Sequence, residues 1–298
     1  MNREKHISAL QKIEGKLAKP KLFRWLCKPF GYLKIKRQHV SSIEFCKTYF
    51  GHKMFVQLPA SGEIVLYGCK VHDSEIRLSY FLANNVTSNE VFFDIGAHYG
   101  FFTLLVQDLM ESTKDGYTLS FEPSPKTFEI LEKNIEEFNN RIIRNAAVGL
   151  KVGNTKFYQF ENGLYSENNS LDPSTFKNKN WFKKENASAV NIAITTIDEL
   201  AKEKLPTLIK IDVEGGELDV LKGGESTLKN NSNVTVVMEY WNSKFMDNSN
   251  HQKAVDFMLN LGYKSYKIEA KGTLQVITNV EEHAIATGLE SDNIVFKK

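Results

Sequence analysis

The 298-residue sequence is poor in cysteine and in long apolar runs, and each scarcity excludes a class of protein. Its three cysteines, Cys27, Cys46 and Cys69, are scattered without a CxxC spacing, so neither a disulfide framework nor a zinc site is indicated. No apolar run approaches the ~20 residues that span a bilayer, and residues 1–11 lack the apolar segment of a signal peptide. We therefore expect a cytoplasmic protein that is neither exported nor integral to a membrane.

Basic residues are unevenly distributed, although the formal net charge is only +2. Residues 1–53 contain 13 Lys and Arg against three Glu, a net charge of +10, and the remaining residues therefore carry −8. A composition of 42% hydrophobic and 25% charged residues suits one large α/β domain with a sizeable core. We predict a basic helical N-terminal arm over 1–53 and a single domain over 54–298, with a polar loop insertion at 161–190.

The arm combines an amphipathic helix with an aromatic and cationic segment. Its apolar residues recur at helical spacing as far as Leu17, and Pro20 ends the helix. The segment that follows contains Phe23, Trp25, Leu26 and Phe30 among Lys and Arg. One interpretation is that the helix packs on the domain, and the alternative is that residues 3–37 bind the anionic inner face of a membrane peripherally. No motif that reads nucleic acid accompanies the charge, so we expect no nucleic-acid partner.

The domain is organised around a predicted strand, turn and helix over 91–105. The apolar run 91–95 contains Asp94, and small residues in the turn would let the backbone approach a nucleotide. A dinucleotide fingerprint has a glycine where Asp94 stands. The carboxylate instead favours S-adenosylmethionine, which carries a sulfonium and an ammonium group. The candidate cofactor ligands here are Asp94, Gly96, Ala97, His98, Tyr99 and Gly100.

Further cofactor ligands are predicted at the ends of neighbouring strands. The strand over 117–121 leads to Glu122, where a carboxylate can accept both ribose hydroxyls, and to Pro123 and Ser124. The next strand, over 141–148, contains Asn145, which we expect at the adenine edge, and Ala146. Upstream, Glu75 in a helix predicted over 73–82 is either a cofactor contact or a capping glutamate.

Acidic residues end two more predicted strands. Asp212 and Glu214 lie at the end of the predicted strand over 208–213, and Glu239 lies near the end of the run 234–240. Ligands in open α/β sheets bind at the carboxyl ends of the strands, so these side chains should face the crevice of Asp94 and Glu122. Such a crevice needs a cationic ligand or a metal. Magnesium held by Asp212 and Glu239 is the less favoured interpretation.

The rest of the sequence alternates strands and helices. The pattern predicts a hairpin turning at 59–62, helices over 126–139, 197–204, 218–228 and 250–261, a strand over 191–196, and closing antiparallel strands over 263–268, 274–278 and 293–296. This alternation predicts a doubly wound α/β sheet.

Four blocks in this order resemble the FkbM family of S-adenosylmethionine-dependent methyltransferases. They are Asp94-x-Gly96-Ala97-x-x-Gly100, FEPSP at 121–125, TTIDEL at 195–200 and IKIDVEG at 209–215, and the resemblance covers roughly residues 72–241. It implies the class I methyltransferase fold, a Rossmann-like doubly wound sheet with an antiparallel C-terminal strand. It also implies methylation of hydroxyl groups of sugars or secondary metabolites. The basic arm lies outside it. Separately, the long polar loop at 161–190 is interpreted as a substrate lid, with a simple surface insertion as the alternative.

These observations predict an O-methyltransferase that acts on a sugar, glycan or glycolipid-type acceptor. A small secondary metabolite as acceptor and a non-catalytic adenosine-binding module remain alternatives, whereas the acidic domain is a poor electrostatic match to nucleic acid. A hydroxyl acceptor needs a base or a metal ion to assist it. The catalytic candidates are Asp212, Glu214, Glu239 and His98. Asp212 is preferred as the base, although it is also a candidate ligand of the cofactor's ammonium group.

Overall fold

The computed structural model describes residues 3–19, 42–110, 115–160, 171 and 187–298. Its strands are β1 (Ser42–Lys47), β2 (Lys53–Leu58), β3 (Val91–Ile95), β4 (Tyr117–Phe121), β5 (Arg141–Arg144), β6 (Ala146–Val148), β7 (Gly153–Phe160), β8 (Ala187–Thr195), β9 (Leu208–Ile211), β10 (Thr235–Trp241), β11 (Lys264–Ile268), β12 (Leu274–Val276) and β13 (Ser291–Lys297). Its helices are α1 (Arg3–Leu17), α2 (Gly62–Tyr67), α3 (Asp73–Asn85), α4 (Phe101–Leu109), α5 (Pro125–Ile135), α6 (Ile197–Ala201), α7 (Glu217–Lys222), α8 (Glu225–Asn230), α9 (Ser249–Asn260) and α10 (Val280–Thr287).

An eight-stranded sheet forms the centre of the fold, in the order β12-β11-β13-β10-β9-β3-β4-β5. Five neighbouring strands of this sheet, β5, β4, β3, β9 and β10, are parallel to one another. Strand β13 is antiparallel to both of its neighbours, β10 and β11. Strands β6, β7 and β8 form a separate three-stranded sheet. The chain winds outward from β3 through β4 and β5 and then returns to β9 on the other side, so a ligand crevice is expected between β3 and β9. This is the class I methyltransferase arrangement, and it confirms the predicted fold class.

Helices cover both faces of the sheet because its central strands are apolar on both sides. Phe92 belongs to one core layer with residues of α1, α3, α4 and α5. Phe93 and Ile95 belong to the other layer, with residues of α6 to α10. The alternation along a single strand thus joins the two layers, and the strand ends are held rigidly at one edge of the sheet.

The predicted hairpin turn at 59–62 is wrong. The hairpin is formed by β1 and β2, with Phe45 opposite Phe55, and it turns between Thr48 and His52. The residues after β2 form α2 instead of a second strand, and α2 buries Ile64 and Leu66. The i and i+2 spacing of these two residues resembles a strand, but the segment is too short for spacing alone to distinguish it from one turn of helix.

The single helix predicted over 218–228 is two short helices, α7 and α8. The break lies at Gly223, where an added Cβ would be 2.0 Å from the carbonyl oxygen of Gly149. The backbone N–H of Asp198 also donates to the carbonyl oxygen of Gly223. Two chain segments are therefore in backbone contact at this point, and a continuous helix is interrupted.

The helical part of the arm packs on the domain. Helix α1 buries His6, Leu10 and Ile13, and the last two belong to the same core layer as Phe92. The Nε2 atoms of His6 and His52 lie 2.9 Å and 2.8 Å from the Asp108 carboxylate. The aromatic segment at 22–30 lies outside the described residues, so membrane binding stays a prediction. Among the described helices, none is long and apolar enough to cross a membrane.

The predicted lid at 161–190 lies largely outside the described residues. Of this segment the structure describes residue 171 and the start of β8 from residue 187. Leu171 packs against the small core of the three-stranded sheet.

Candidate active site

The turn after β3 fixes one wall of the crevice. Gly96 and Gly100 have φ angles of +81° and +84°, a backbone region that favours glycine. An added Cβ at Gly96 would lie 1.8 Å from the carbonyl oxygen of Asp212, and one at Gly100 would lie 2.6 Å from a methyl group of Leu131. Gly96 therefore lets the end of β9 approach the turn after β3, a role different from the predicted approach of ligand to backbone.

Glu122 is held at the end of β4 by the backbone around it. Its two carboxylate oxygens accept hydrogen bonds from the backbone N–H groups of His98, at 3.0 Å, and Ser124, at 2.9 Å. The side chain is buried, and this burial raises the pKa of Glu122 to about 7 although the two N–H groups act in the opposite direction. Each oxygen keeps a second lone pair for a further donor.

Two predicted cofactor ligands instead stabilise the loop that presents Glu122. The amide nitrogen of Asn145 donates to the carbonyl oxygens of Glu122, at 2.8 Å, and Pro123, at 3.0 Å. The hydroxyl of Ser124 caps α5 by accepting from the backbone N–H of Thr127 and also accepts from the Gln159 side chain. The structure thus places Asn145 and Ser124 behind the crevice wall.

Two cavities open at the carboxyl ends of the strands. The first, here named the donor cavity, is lined by Lys70, Ile95, Gly96, His98, Phe121, Glu122, Pro123, Ala146, Ala147, Val148, Phe157, Leu171, Asp212, Val213 and Glu214. It combines an apolar slot with carboxylates at its rim. Predicted residues Gly96, His98, Glu122, Pro123, Ala146 and Asp212 therefore lie together.

The second cavity, here named the acceptor cavity, has a volume of about 560 Å³. It is lined by Ser61, Glu63, Lys70, Val71, His72, Ser74, Glu75, His98, Phe102, Lys210, Asp212, Glu214, Glu239, Glu290, Ser291 and Asn293. Lys70, His98, Asp212 and Glu214 line both cavities. The two spaces thus meet at the ends of β3 and β9.

A buried lysine lies below this meeting point. The Lys210 Nζ atom is 2.9 Å from Asp212 Oδ2 and 3.9 Å from Asp94 Oδ1. Burial raises the pKa of Asp94 despite the charge of Lys210. Burial also tends to raise the pKa of Asp212, but the closer Lys210 ammonium group holds that pKa below its ordinary value. The other Asp94 oxygen accepts from the Thr103 hydroxyl at 2.6 Å. Asp94 lies beneath the crevice, because it is buried and lines neither cavity.

Three carboxylates converge where the cavities meet. Asp212, Glu214 and Glu239 each offer an oxygen within 4.8 Å of the others. Burial raises the pKa of Glu239 to about 7, and the charges of Asp212 and Glu217 act in the same direction. The Trp241 indole N–H donates to Glu239 at 2.9 Å. Oxygen ligands at this spacing suit a hard cation chemically, but they equally suit hydroxyl or ammonium donors.

The remaining predicted residues lie in or beside the walls of the two cavities. Burial lowers the pKa of His98 to about 3, so its ring is neutral at neutral pH, and its φ of +51° is rare for a residue with a side chain. Tyr99 is buried against His98 and donates to Gln57 at 3.2 Å. Ala97 and Tyr99 line a small pocket beside both cavities. Glu75 is ion-paired with Lys70 in the wall of the acceptor cavity.

Sequence reasoning missed Lys70 and Lys210 as site residues. Lys210 had a visible signal, because a lysine within the otherwise apolar strand β9 must find a carboxylate partner. Lys70 had none, since it follows α2 in a connecting segment whose position depends on the fold. Both amino groups also lie near the Phe102 ring, at 5.7 Å and 5.4 Å from its centroid.

Comparison with known proteins agrees with the geometry. Residues 94–265 match the family model of the methyltransferase FkbM domain. The hexuronic acid methyltransferase AglP of Haloferax volcanii is 27% identical over 160 residues, which are 52% of this chain and 58% of that protein. The methyltransferase sdnD of Sordaria araneosa is 28% identical over 167 residues, which are 47% of this chain and 62% of that protein. The chain thus spans less than two thirds of the length of these relatives.

The chain was also compared with solved structures. The methyltransferase FkbM of Methylobacillus flagellatus is 13% identical, with a TM-score of 0.46, and the match covers 71% of this chain and 44% of that chain.

Proposed function

The chain belongs to the FkbM methyltransferase family, and from this premise we propose that it transfers a methyl group from S-adenosylmethionine to a hydroxyl oxygen of a sugar-type acceptor. The observation that carries the proposal is the contact between the two cavities. One has the residues of an adenosine site, the other has carboxylates suited to hydroxyl donors, and Asp212 and Glu214 line both.

The donor cavity fits S-adenosylmethionine in chemistry. Glu122 has a free lone pair on each oxygen for the two ribose hydroxyls, because its backbone partners occupy one each. Ala147, Val148 and Leu171 provide an apolar slot for a flat base. Asp212 and Glu214 at the rim provide negative charge for the cationic end. When bound there, S-adenosylmethionine would supply a methyl group already activated on a sulfonium sulfur.

We expect Glu122→Gln to weaken S-adenosylmethionine binding by roughly 10- to 100-fold, equivalent to about 1.5–3 kcal/mol for charge-assisted hydrogen bonds. Ribose hydroxyls donate best to the ionised carboxylate, and the pKa of Glu122 is about 7. The affinity should therefore rise between pH 6 and pH 8 in the wild type and lose this rise in the variant. Isothermal calorimetry across this range measures both effects.

The matched control is Glu132→Gln, a change at an exposed glutamate of α5, which should leave the affinity unchanged at every pH. A folded Glu122→Gln variant that binds the cofactor as tightly as the wild type would remove Glu122 from the site.

We assign the general base to Glu239 rather than to Asp212. Asp212 is the weaker base because the Lys210 ammonium group binds its carboxylate and holds its pKa low. Glu239 lines the acceptor cavity, and a pKa of about 7 suits proton removal near neutral pH. In this mechanism Glu239 would take the proton of the acceptor hydroxyl, and the oxygen of that hydroxyl would gain the methyl group as the bond from the methyl carbon to the sulfonium sulfur breaks. Asp212 and Glu214 then orient the reactants, which is most of the catalysis that a methyl transfer needs.

We expect Glu239→Gln to lower the methylation rate by roughly two to four decades with little change in cofactor affinity. In the wild type saturated with cofactor, kcat/KM for the acceptor should rise with pH up to about 7 and then level off, because only ionised Glu239 accepts the proton. Asp212→Asn should reduce the rate and keep a pH rise, moved to lower pH because the charge of Asp212 no longer raises the pKa of Glu239. A pH rise that disappears in Asp212→Asn and persists in Glu239→Gln would return the base to Asp212.

The hexuronic acid relative supports a sugar-type acceptor. The test is to incubate the full chain with methyl-labelled cofactor and separate fractions of glycans, glycolipids and small metabolites. We expect label in a sugar fraction, in an ether that resists alkali. Label confined to non-sugar metabolites would favour the secondary-metabolite alternative. Cofactor binding with no transfer to any fraction would indicate a non-catalytic adenosine-binding module.

A further inference from the structure

The acceptor cavity is strongly acidic. Among the lining residues that the structure describes, six are carboxylates, namely Glu63, Glu75, Asp212, Glu214, Glu239 and Glu290, and two are lysines, Lys70 and Lys210. With the histidines neutral, these described residues therefore carry a formal charge of −4. This sign matters because a charge within a partly desolvated cavity is screened far less than one at an open surface.

The two lysines of this lining are already engaged by carboxylates. Lys70 is ion-paired with Glu75, and Lys210 is 2.9 Å from Asp212. An anionic substituent entering the cavity would have to displace one of these carboxylates. Each displacement would leave a carboxylate without its partner, which is costly where water is scarce.

The carboxylates of the cavity also disfavour one another's ionised form. Burial raises the pKa of Glu63, and the charge of Glu75 adds to this effect. The pKa of Glu239 is likewise raised by burial and by the charges of Asp212 and Glu217. A cation placed between such groups relieves both the repulsion and part of the desolvation cost. The cofactor, with a net charge of about +1, offsets only part of the acidic lining.

We propose that the acceptor is a hydroxylated amine, such as an amino sugar, whose ammonium group binds the carboxylates of the acceptor cavity. This inference rests on the proposed function, because it names the substrate class of the same site. It separates this chain from a hexuronic acid methyltransferase such as AglP, since a uronate would bring a seventh carboxylate into the cavity.

The test uses matched methyl glycosides of the gluco, galacto and manno series, each as the neutral sugar, the amino sugar and the uronic acid. Binding to the full chain loaded with S-adenosylhomocysteine is measured by calorimetry, and transfer is measured separately with labelled cofactor. We expect the amino sugar of at least one series to bind at least 10-fold more tightly than its uronic acid, with the neutral sugar between them. Transfer should follow the same order.

Two variants connect the preference to the cavity. Glu63→Gln should reduce the preference for the amino sugar over the uronic acid about threefold to tenfold. Glu269→Gln, which removes a half-exposed carboxylate paired with Lys267, should leave it unchanged. The neutral sugar serves as the internal reference in each variant.

Equal or tighter binding of the uronic acid would overturn the inference, as would absence of binding by every amino sugar. Uronic acid binding that needs added Mg²⁺ and is abolished by a chelator would also overturn it, because a metal ion would then occupy the carboxylates. Selective binding of an amino sugar without methyl transfer would leave the inference standing and contradict the proposed function. Efficient methylation of a uronic acid would support the proposed function and contradict the inference.

Discussion

Replacing Gly96 with alanine is expected to destabilise the protein by about 4 kcal/mol or more, the range reached by exceptional single substitutions. The new Cβ would lie 1.8 Å from the carbonyl oxygen of Asp212, and this neighbour is backbone that cannot rotate away. The φ angle of +81° adds the roughly 1–2 kcal/mol that a side chain costs in the left-handed region. Urea unfolding followed by circular dichroism measures the loss.

Gly262→Ala separates the two contributions. Gly262 has a φ of +86°, almost the same as Gly96, but no atom lies within 4 Å of the position of its Cβ. This control should therefore lose only about 1–2 kcal/mol. A similar loss in both variants would mean that the ends of β3 and β9 are not in the close contact that shapes the crevice.

The central sheet could be predicted because its strands have strong local signals. The apolar runs at β3, β4 and β9 each lead to a carboxylate. Helix α5 has a proline as its first residue, a common start of a helix. Parallel strands place their carboxyl ends at one edge, so the position of Glu122, Asp212 and Glu239 along the same edge of the sheet follows from topology alone.

The role of each site residue was harder to predict, because it depends on hydrogen bonds between distant segments. Asn145 was expected to contact a ligand, yet its amide binds two carbonyl oxygens of the Glu122 loop. The preference between Asp212 and Glu239 likewise depended on Lys210, whose distance from each carboxylate is not visible in the sequence. The predicted position of the hairpin is wrong for a different reason, because α2 is too short for its periodicity to be recognised.

Replacing Lys210 with methionine should be the other strongly destabilising change, with an expected loss of about 3–5 kcal/mol for breaking a buried ion pair. Methionine keeps the unbranched shape of the lysine stem but leaves the carboxylates of Asp94 and Asp212 without their shared cation. The exposed pair Lys202 and Glu199 provides the matched control. Lys202→Met should cost less than about 1 kcal/mol, because solvent screens an exposed pair.

The loss in Lys210→Met should depend on pH in a defined direction. Burial already raises the folded-state pKa of Asp94 although Lys210 opposes this rise, so removing the cation raises that pKa further. A carboxyl group with a raised folded-state pKa contributes its full stability below its unfolded pKa, about 4, and loses it as the pH rises through the folded value. The deficit should therefore be smaller near pH 4.5 than at pH 8, and adding Asp94→Asn should reduce it at pH 8. Chemical unfolding of the single and double variants at both pH values measures these differences. A deficit that is independent of pH, or one that the second substitution leaves unchanged, would show that Lys210 stabilises the strand ends by packing rather than by its charge.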